Sequence, residues 1–374
     1  MKKRQREDGS SGEAVEEEGN PFNVCEVNRF NLDMLYKVIV SAAASCDFMA
    51  LDTEFSGLDL SPESKSGQLQ ERYGSFSDMV EKYALLQFGL SFVSKKGPNK
   101  GHYRSLSFTF HVVRSSPFVV APRSMIFLAE NGLSLTDVFK RGVQFDLPSP
   151  GAAPGKLEQL WRAIAALHKP LVVHNGLADL MFVWRSFFGP LPALATDFVK
   201  TFSQAFPVCY DTKYLSVALA NENATYLQHL FRASYVRNMC TFECAAIPLQ
   251  YQILTDSATT DVPTEICNQY AKHGNCRFGL ACTRSHDVDF IVQVEYAVER
   301  GLPAVMASKP NNSNQRNLQR PQMSHSAGFD AFATAYVFGM YLEKLDETKM
   351  MDAANHIYLM SSDRPLLLIP SRYE

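Results

Sequence analysis

The stretch Phe48-Met49-Ala50-Leu51-Asp52-Thr53-Glu54-Phe55-Ser56-Gly57 constrains this chain most: an apolar, strand-forming run leads straight into two carboxylates one residue apart. In a strand, residues i and i+2 leave the same face, so Asp52 and Glu54 point together. No basic residue lies beside them in sequence. Like charges side by side are unfavourable without a joining cation, and a hard oxygen pair suits Mg²⁺ or Mn²⁺. D-x-E is also a common tripeptide of solvated loops, so the rest of the sequence decides between the two readings.

At 374 residues the chain is long enough for a large core and more than one folded unit. A net charge of −3 excludes a generally basic nucleic-acid coat, so any contact with nucleic acid comes from local clusters or bound metal. No apolar run is long enough to span a bilayer. The start, MKKRQREDGSSGEAVEEEGN, lacks the apolar core of a secretory signal. It reads as a disordered charged tail over residues 1–22, in which Lys2, Lys3, Arg4 and Arg6 form a short import signal or a solvated terminus. Eight cysteines without a secretion signal point to a reducing compartment. Cys25, Cys46, Cys209, Cys240 and Cys244 have no metal spacing and read as idle thiols.

Residues 30–45 carry the spacing of a buried helical stripe. Residues 57–79 read as a polar loop flanking the carboxylates, and 83–93 with 103–113 as a hairpin that completes a three-stranded antiparallel edge. Helical character over 123–144 and 156–167 precedes the short strand Pro170–Val173 and an apolar helix, then a strand at 207–211 and a helical 214–222. The pattern over 234–263 is weak. A polar stretch, 307–324, precedes a long amphipathic helix, and HIYLM and LLLIP close the chain as short strands. Strands first and strand–helix alternation afterwards indicate a mixed α/β sheet.

Two constellations carry chemistry. Two-metal hydrolysis needs about four convergent carboxylates. Asp179 lies in the first helical turn after PLVV, at the strand end where α/β sheets collect ligands. Asp330 opens the last helix beside its buried stripe. Asp211 reads as a ligand or as a helix cap, and Asn175 as a cap for the helix carrying Asp179. His325, five residues before Asp330, supplies an imidazole that takes a proton near neutral pH.

The second constellation is Cys267-x8-Cys276-x5-Cys282-x3-His286, four ligands with the spacing of a closed structural Zn²⁺ site. Tyr270 and Phe278 lie between the ligands, with Arg277 and Arg284 close by. Aromatics among basic residues suit stacking on single-stranded bases, while the same two rings can fill the finger's small core.

Asp52-x-Glu54, Asn175-x3-Asp179 and His325-x4-Asp330 resemble the three exonuclease motifs of the DEDDh superfamily, whose fold is of the ribonuclease-H type. The strings ALDTEFSGL, LVVHNGLADL and HSAGFDAFATAY, with DTKY at Asp211–Tyr214, are similar to the poly(A)-specific ribonuclease branch. A CCCH finger between the second and third motifs is characteristic of the nuclear deadenylases named for the target of early growth response. The resemblance implies an α/β, ribonuclease-H-like mixed sheet with flanking helices and an inserted CCCH zinc finger. Its expected divisions are 23–255 and 325–374 for the nuclease, 256–292 for the finger and 293–324 for a linker.

By that resemblance Asp52, Glu54, Asp179 and Asp330 bind two Mg²⁺ or Mn²⁺ ions, His325 is the general base, and one structural Zn²⁺ sits on the four finger ligands. The implied activity is 3′-to-5′ removal of nucleoside 5′-monophosphates from adenosine-rich single-stranded RNA ends or small nuclear RNA 3′ ends. The implied location is the nucleus, nucleolus or Cajal bodies, with no membrane partner. Tyr270, Phe278, Arg277, Arg284 and Asn175 are the candidate RNA contacts. Two features depart from the branch: Arg284 stands where an aromatic is usual, and no long basic stretch lies between finger and His325. The competing readings are a DNA-directed 3′-to-5′ exonuclease and a catalytically idle RNA-binding module.

Overall fold

The computed structural model describes residues 23–59, 61–97, 101–244, 265–300, 326–362 and 364–373. The tail 1–22, the stretch 307–324 and His325 lie outside the described residues. Its centre is a mixed sheet in the order β1-β4-β3-β2-β6-β7. These strands are β1 (Val24–Val27), β2 (Phe48–Phe55), β3 (Leu85–Lys95), β4 (His102–Arg114), β6 (Leu171–Val173) and β7 (Cys209–Asp211). β5 (Val143–Phe145) and β8 (Thr241–Cys244) also pair with β4. This is the mixed α/β architecture expected from the resemblance.

The hairpin forms, with β3 antiparallel to both β2 and β4, but it is no edge. β1, β5 and β8 run parallel along the far side of β4, and β6 extends the sheet beyond β2. The reason is visible in β3, where every residue from Leu85 to Val93 is buried. A strand covered on both faces reads as a continuous apolar run and belongs inside a sheet.

One face of the sheet carries α1 (Leu32–Ser45), α5 (Lys156–Ala165) and α6 (Leu177–Phe187), which enclose the larger core around Phe88, Phe110, Trp161 and Phe187. α7 (Ala195–Ala205) adds Phe198 and Phe202 to this core. The other face receives α12 (Ala327–Lys344), which packs with α9 (Leu227–Val236) around Phe231, Phe332 and Tyr336. α12 is buried over its whole girth for its first four turns, as expected of a helix apolar all round. Among the described residues no helix is long and apolar enough to cross a membrane.

Several segments differ from the sequence reading. The expected loop 57–79 contains α2 (Leu69–Lys82), whose buried face includes Arg72 and Tyr73. Arg72 donates to the carbonyls of Ser66 and Met360, and Tyr73 to that of Pro192, so polar tips are satisfied while their stems pack. The helical stretch 123–144 breaks into α3 (Pro122–Glu130), α4 (Leu135–Arg141) and β5, with Gly132 at φ 94° in the first break and Ser134 capping α4. The segment after β7 is the short α8 (Thr212–Tyr214) followed by a wider turn over Leu215–Leu219. The finger's α10 (Asn268–His273) is followed by α11 (Val288–Glu299), which runs through the division expected at 292/293. All eight cysteines are free thiols.

Candidate active site and metal-binding clusters

β2 sends its residues alternately to the two cores. Phe48 and Ala50 join the α12 side, and Met49 and Leu51 the α5/α6 side. The alternation carries Asp52 and Glu54 toward α12 and Thr53 toward α6. In the first turn of α12, Asp330 meets them: oxygens of Asp52, Glu54 and Asp330 all lie within 4.8 Å of one another. On the other side Thr53 Oγ1 donates to Asp179 Oδ1 at 2.5 Å, and Phe55 stacks on Phe182 at 4.0 Å. Parallel pairing of β2 with β6 brings the start of α6, and with it Asp179, to the carboxyl end of β2.

Two glycines set the approach of α12. Gly89 lies opposite Asp52, and a Cβ there would stand 1.8 Å from the Ala327 carbonyl oxygen. A Cβ on Gly328 would stand 2.0 Å from Thr109 Oγ1. The helix therefore rests backbone-first on the sheet, which brings Asp330 within reach of Asp52. Sequence reasoning passed over both glycines and Thr53, although a glycine inside an apolar strand is itself a sign of close backbone approach.

Burial raises the Asp52 carboxyl well above its ordinary range, and the charges of Asp330, Asp179 and Glu54 raise it further. Glu54 is raised well above its range by burial, then by Asp330 and Asp179. Among the described residues, the charges that act on Asp52 and Glu54 are those of carboxylates. Burial lifts Asp179 to about 6 against the lowering effect of the Thr53 hydrogen bond. A cluster of crowded, desolvated acids with only oxygen donors fits hard divalent cations.

The alternatives left open for Asp211 and Asn175 resolve. Asp211 is fully buried and accepts from the N–H groups of Asn175, Lys213 and Tyr358 at 2.8, 2.9 and 3.0 Å. It caps α8 and clamps the loop that leads to Asp179. Asn175 does not cap α6: Gly176 takes that position without a side-chain cap, and Asn175 sits at φ 56° and is exposed. His174 before it gives Nδ1 to Thr212 Oγ1 at 2.9 Å, and burial lowers its pKa to about 3, so it is neutral.

In the finger, donor atoms of Cys267, Cys276, Cys282 and His286 lie within 4.8 Å of one another. The His286 Nε2 is buried without a hydrogen-bond partner. Three thiols and an orphaned imidazole nitrogen converging in this way fit a tetrahedral Zn²⁺ site. Tyr270 stacks on His286 at 4.3 Å and 8°, with Tyr226 at 6.1 Å, so its half-buried ring packs within the cluster. Phe278 is different: it is 55% exposed, with the Arg277 guanidinium 4.7 Å over its ring. Arg284 is also exposed, 3.9 Å from Glu265.

The Cys/His cluster is joined to the rest of the fold through α11. Asp287 caps that helix, and His229 and Arg232 of α9, with Arg237 just past its end, pair with Glu295, Asp289 and Glu299 along it. α9 in turn sets Phe231 against Phe329 and Phe332 of α12, at 5.6 and 6.0 Å.

The model of the family described as CAF1 family ribonuclease matches residues 27–149 and 152–338. A pre-piRNA 3′-exonuclease trimmer of Bombyx mori is 43% identical over 14% of this chain and 10% of its own length. The 3′-5′ exoribonuclease parn-1 of Caenorhabditis elegans is 35% identical over 27% of this chain and 18% of its own. The human poly(A)-specific ribonuclease PARN is 31% identical over 32% of this chain and 21% of its own. The chain thus aligns with about a fifth or less of the length of these relatives.

Proposed function

The chain belongs to the CAF1 ribonuclease family, and on that premise we propose that it is a divalent-metal-dependent 3′-to-5′ exoribonuclease acting on adenosine-rich single-stranded RNA ends. One observation carries the reading: Asp52, Glu54 and Asp330 present oxygens within 4.8 Å of one another, with no cationic side chain among the described residues acting on Asp52 or Glu54. One relative is named a 3′-5′ exoribonuclease and another a poly(A)-specific ribonuclease, which supports the direction and the adenosine-rich substrate of the reading.

Two Mg²⁺ or Mn²⁺ ions, when bound, would supply charge stabilisation for an in-line displacement. Asp52, Glu54 and Asp330 would hold them. Asp179, whose Oδ1 accepts from Thr53, stands outside the three clustered carboxylates and would join them through its other oxygen. His325, five residues before Asp330 in sequence, takes the proton of the attacking water. The product is a nucleoside 5′-monophosphate. A structural Zn²⁺ on Cys267, Cys276, Cys282 and His286 orders the finger, whose exposed Phe278 and Arg277 stack on RNA bases, with Arg284 and Asn175 as polar contacts. The physiological substrates are poly(A) tails or small nuclear RNA 3′ ends in the nucleus, with Lys2, Lys3, Arg4 and Arg6 as the import signal.

The test is release of mononucleotides from an oligoadenylate by Asp52→Ala, Asp179→Ala and Asp330→Ala chains that keep their circular dichroism. Each is inactive under this reading, and undiminished release by any one removes that residue from the site.

A further inference from the structure

At the end of the sheet opposite the carboxylates, a groove of about 750 Å³ lies between α1 and the tips of β3 and β4. Lys37 and Ser41 line it from α1, Ser94, Lys95 and Lys96 from β3 and its exit, and Arg104 from β4. No carboxylate is among its lining residues. Glu243 pairs with Lys96, and Asp47 accepts the backbone N–H of Lys95 at 2.6 Å rather than its ammonium. Lys37 and Arg104 are exposed and form no ion pair within 4 Å among the described residues, with Arg104 standing opposite Glu243 of β8, whereas Lys95, paired with Tyr103, alternates to the α12 face of the sheet. In a chain of net charge −3, Lys37, Lys96 and Arg104 bring three cations from α1, the exit of β3 and β4 to one cavity, with Glu243 the carboxylate beside the last two among the described residues. Lysine and arginine offer only donors, so the groove selects an anion.

We propose that this groove binds the phosphodiester backbone of single-stranded RNA upstream of the 3′ end held at the carboxylates. The inference rests on the exoribonuclease reading, because it names where the same substrate goes next. Asp52 pairs with Gly89, and Lys95 lies six residues further along β3. At the rise of a strand that is about 20 Å, and the groove also opens on the sheet face away from α12. A nucleotide at the scissile bond cannot touch it, whereas a longer strand leaving the site can. The groove would lengthen the substrate footprint without entering the chemistry.

Each phosphate neutralised on a single strand contributes about 0.7 to the slope of log affinity against log salt. The full-length Lys37→Glu/Arg104→Glu chain therefore separates the two surfaces. Labelled oligoadenylates of about four and about thirty nucleotides are titrated without Mg²⁺ across roughly 50–300 mM KCl. Mg²⁺-dependent mononucleotide release from the short one is followed in parallel. The long oligomer is expected to bind roughly tenfold more weakly at the lowest salt, with a slope shallower by about 1.4, while the short one binds and turns over as wild type. Unchanged affinity and slope for the long oligomer, or equal weakening of both, overturns the proposal. So does retained RNA binding with lost affinity for a peptide of residues 12–19, GEAVEEEG, since the groove would then take an acidic chain. Failure of the wild-type chain to release mononucleotides refutes the exoribonuclease reading instead, and the binding arm distinguishes that result.

Discussion

Gly89→Ala adds one methyl group next to the carboxylate site without touching a carboxylate. The new Cβ would lie 1.8 Å from the Ala327 carbonyl oxygen, 2.1 Å from its carbonyl carbon and 2.5 Å from Gly328 N. All three are backbone atoms of the first turn of α12, so no rotamer change relieves the contact. Bringing 1.8 Å out to the 3.0 Å that real Cβ atoms respect moves the helix start by about 1.2 Å. Asp330 rides in that turn and moves with it, which opens a cluster whose oxygens now lie within 4.8 Å. Overpacking of this kind costs about 1–3 kcal/mol, and a displacement near 1 Å at a reacting centre costs roughly a hundredfold in rate. The expected result is a folded chain with a lower melting temperature, weaker Mn²⁺ binding and mononucleotide release down roughly a hundredfold. Gly74→Ala is the control: it lies in the middle of α2 with nothing within 4 Å of its Cβ, and should stabilise by about 0.8–1.0 kcal/mol. Wild-type rate and Mn²⁺ affinity in Gly89→Ala would refute the claim that glycine packing sets the site.

Thr53→Val keeps the shape of the side chain and removes the donor to Asp179. Mn²⁺ titration should show affinity lower by roughly 10–100-fold, with Thr53→Ser restoring it. Without metal, Asp179 beside the carboxylate site and Asp211 in the loop clamp behind it have folded-state pKa values of about 6, above the ordinary 3.8. The folded form therefore holds more protons than the unfolded one through that window, and their contribution to stability is lost as pH rises from about 4 through 6. Because metal requires the deprotonated acids, the melting-temperature gain on adding Mg²⁺ should grow over the same range. A gain independent of pH contradicts the assignment. Cys276→Ser should lower the melting temperature of the whole chain, since α11 joins the finger to α9, and weaken long RNA more than a short oligomer. A thermal transition identical to wild type would show that the finger contributes nothing to the nuclease fold.

The residues that the structure gathers into the carboxylate and Cys/His clusters were legible because their identities are unusual for their places. Two acids ending an apolar strand, an acid in the first turn after PLVV, and three cysteines and a histidine at finger spacing have few purely structural explanations. What escaped was carried by residues that look ordinary. α2 buries Arg72 and Tyr73, whose polar tips hide the helical stripe from a pattern of apolar residues. The antiparallel strands read as an edge because the partners of β4 come from far away in sequence, at β1, β5 and β8. Tyr270 and Phe278 looked alike between the ligands, and only the stack on His286 separates the structural ring from the exposed one. Gly89, Gly328 and Thr53 act through distances, which a string of letters does not contain.

The central claim is that Asp52, Glu54, Asp179 and Asp330 form one metal-dependent site acting on the 3′ end of RNA. It is tested most directly by incubating the full-length chain with Mg²⁺ and two oligoadenylates, one with a free 3′-hydroxyl end and one with that end blocked, and identifying every product. The account predicts stepwise release of adenosine 5′-monophosphate from the free end alone, abolished by Asp330→Asn and absent without the metal. Internal fragments, nucleoside 3′-monophosphates or equal loss of the blocked oligomer would contradict it.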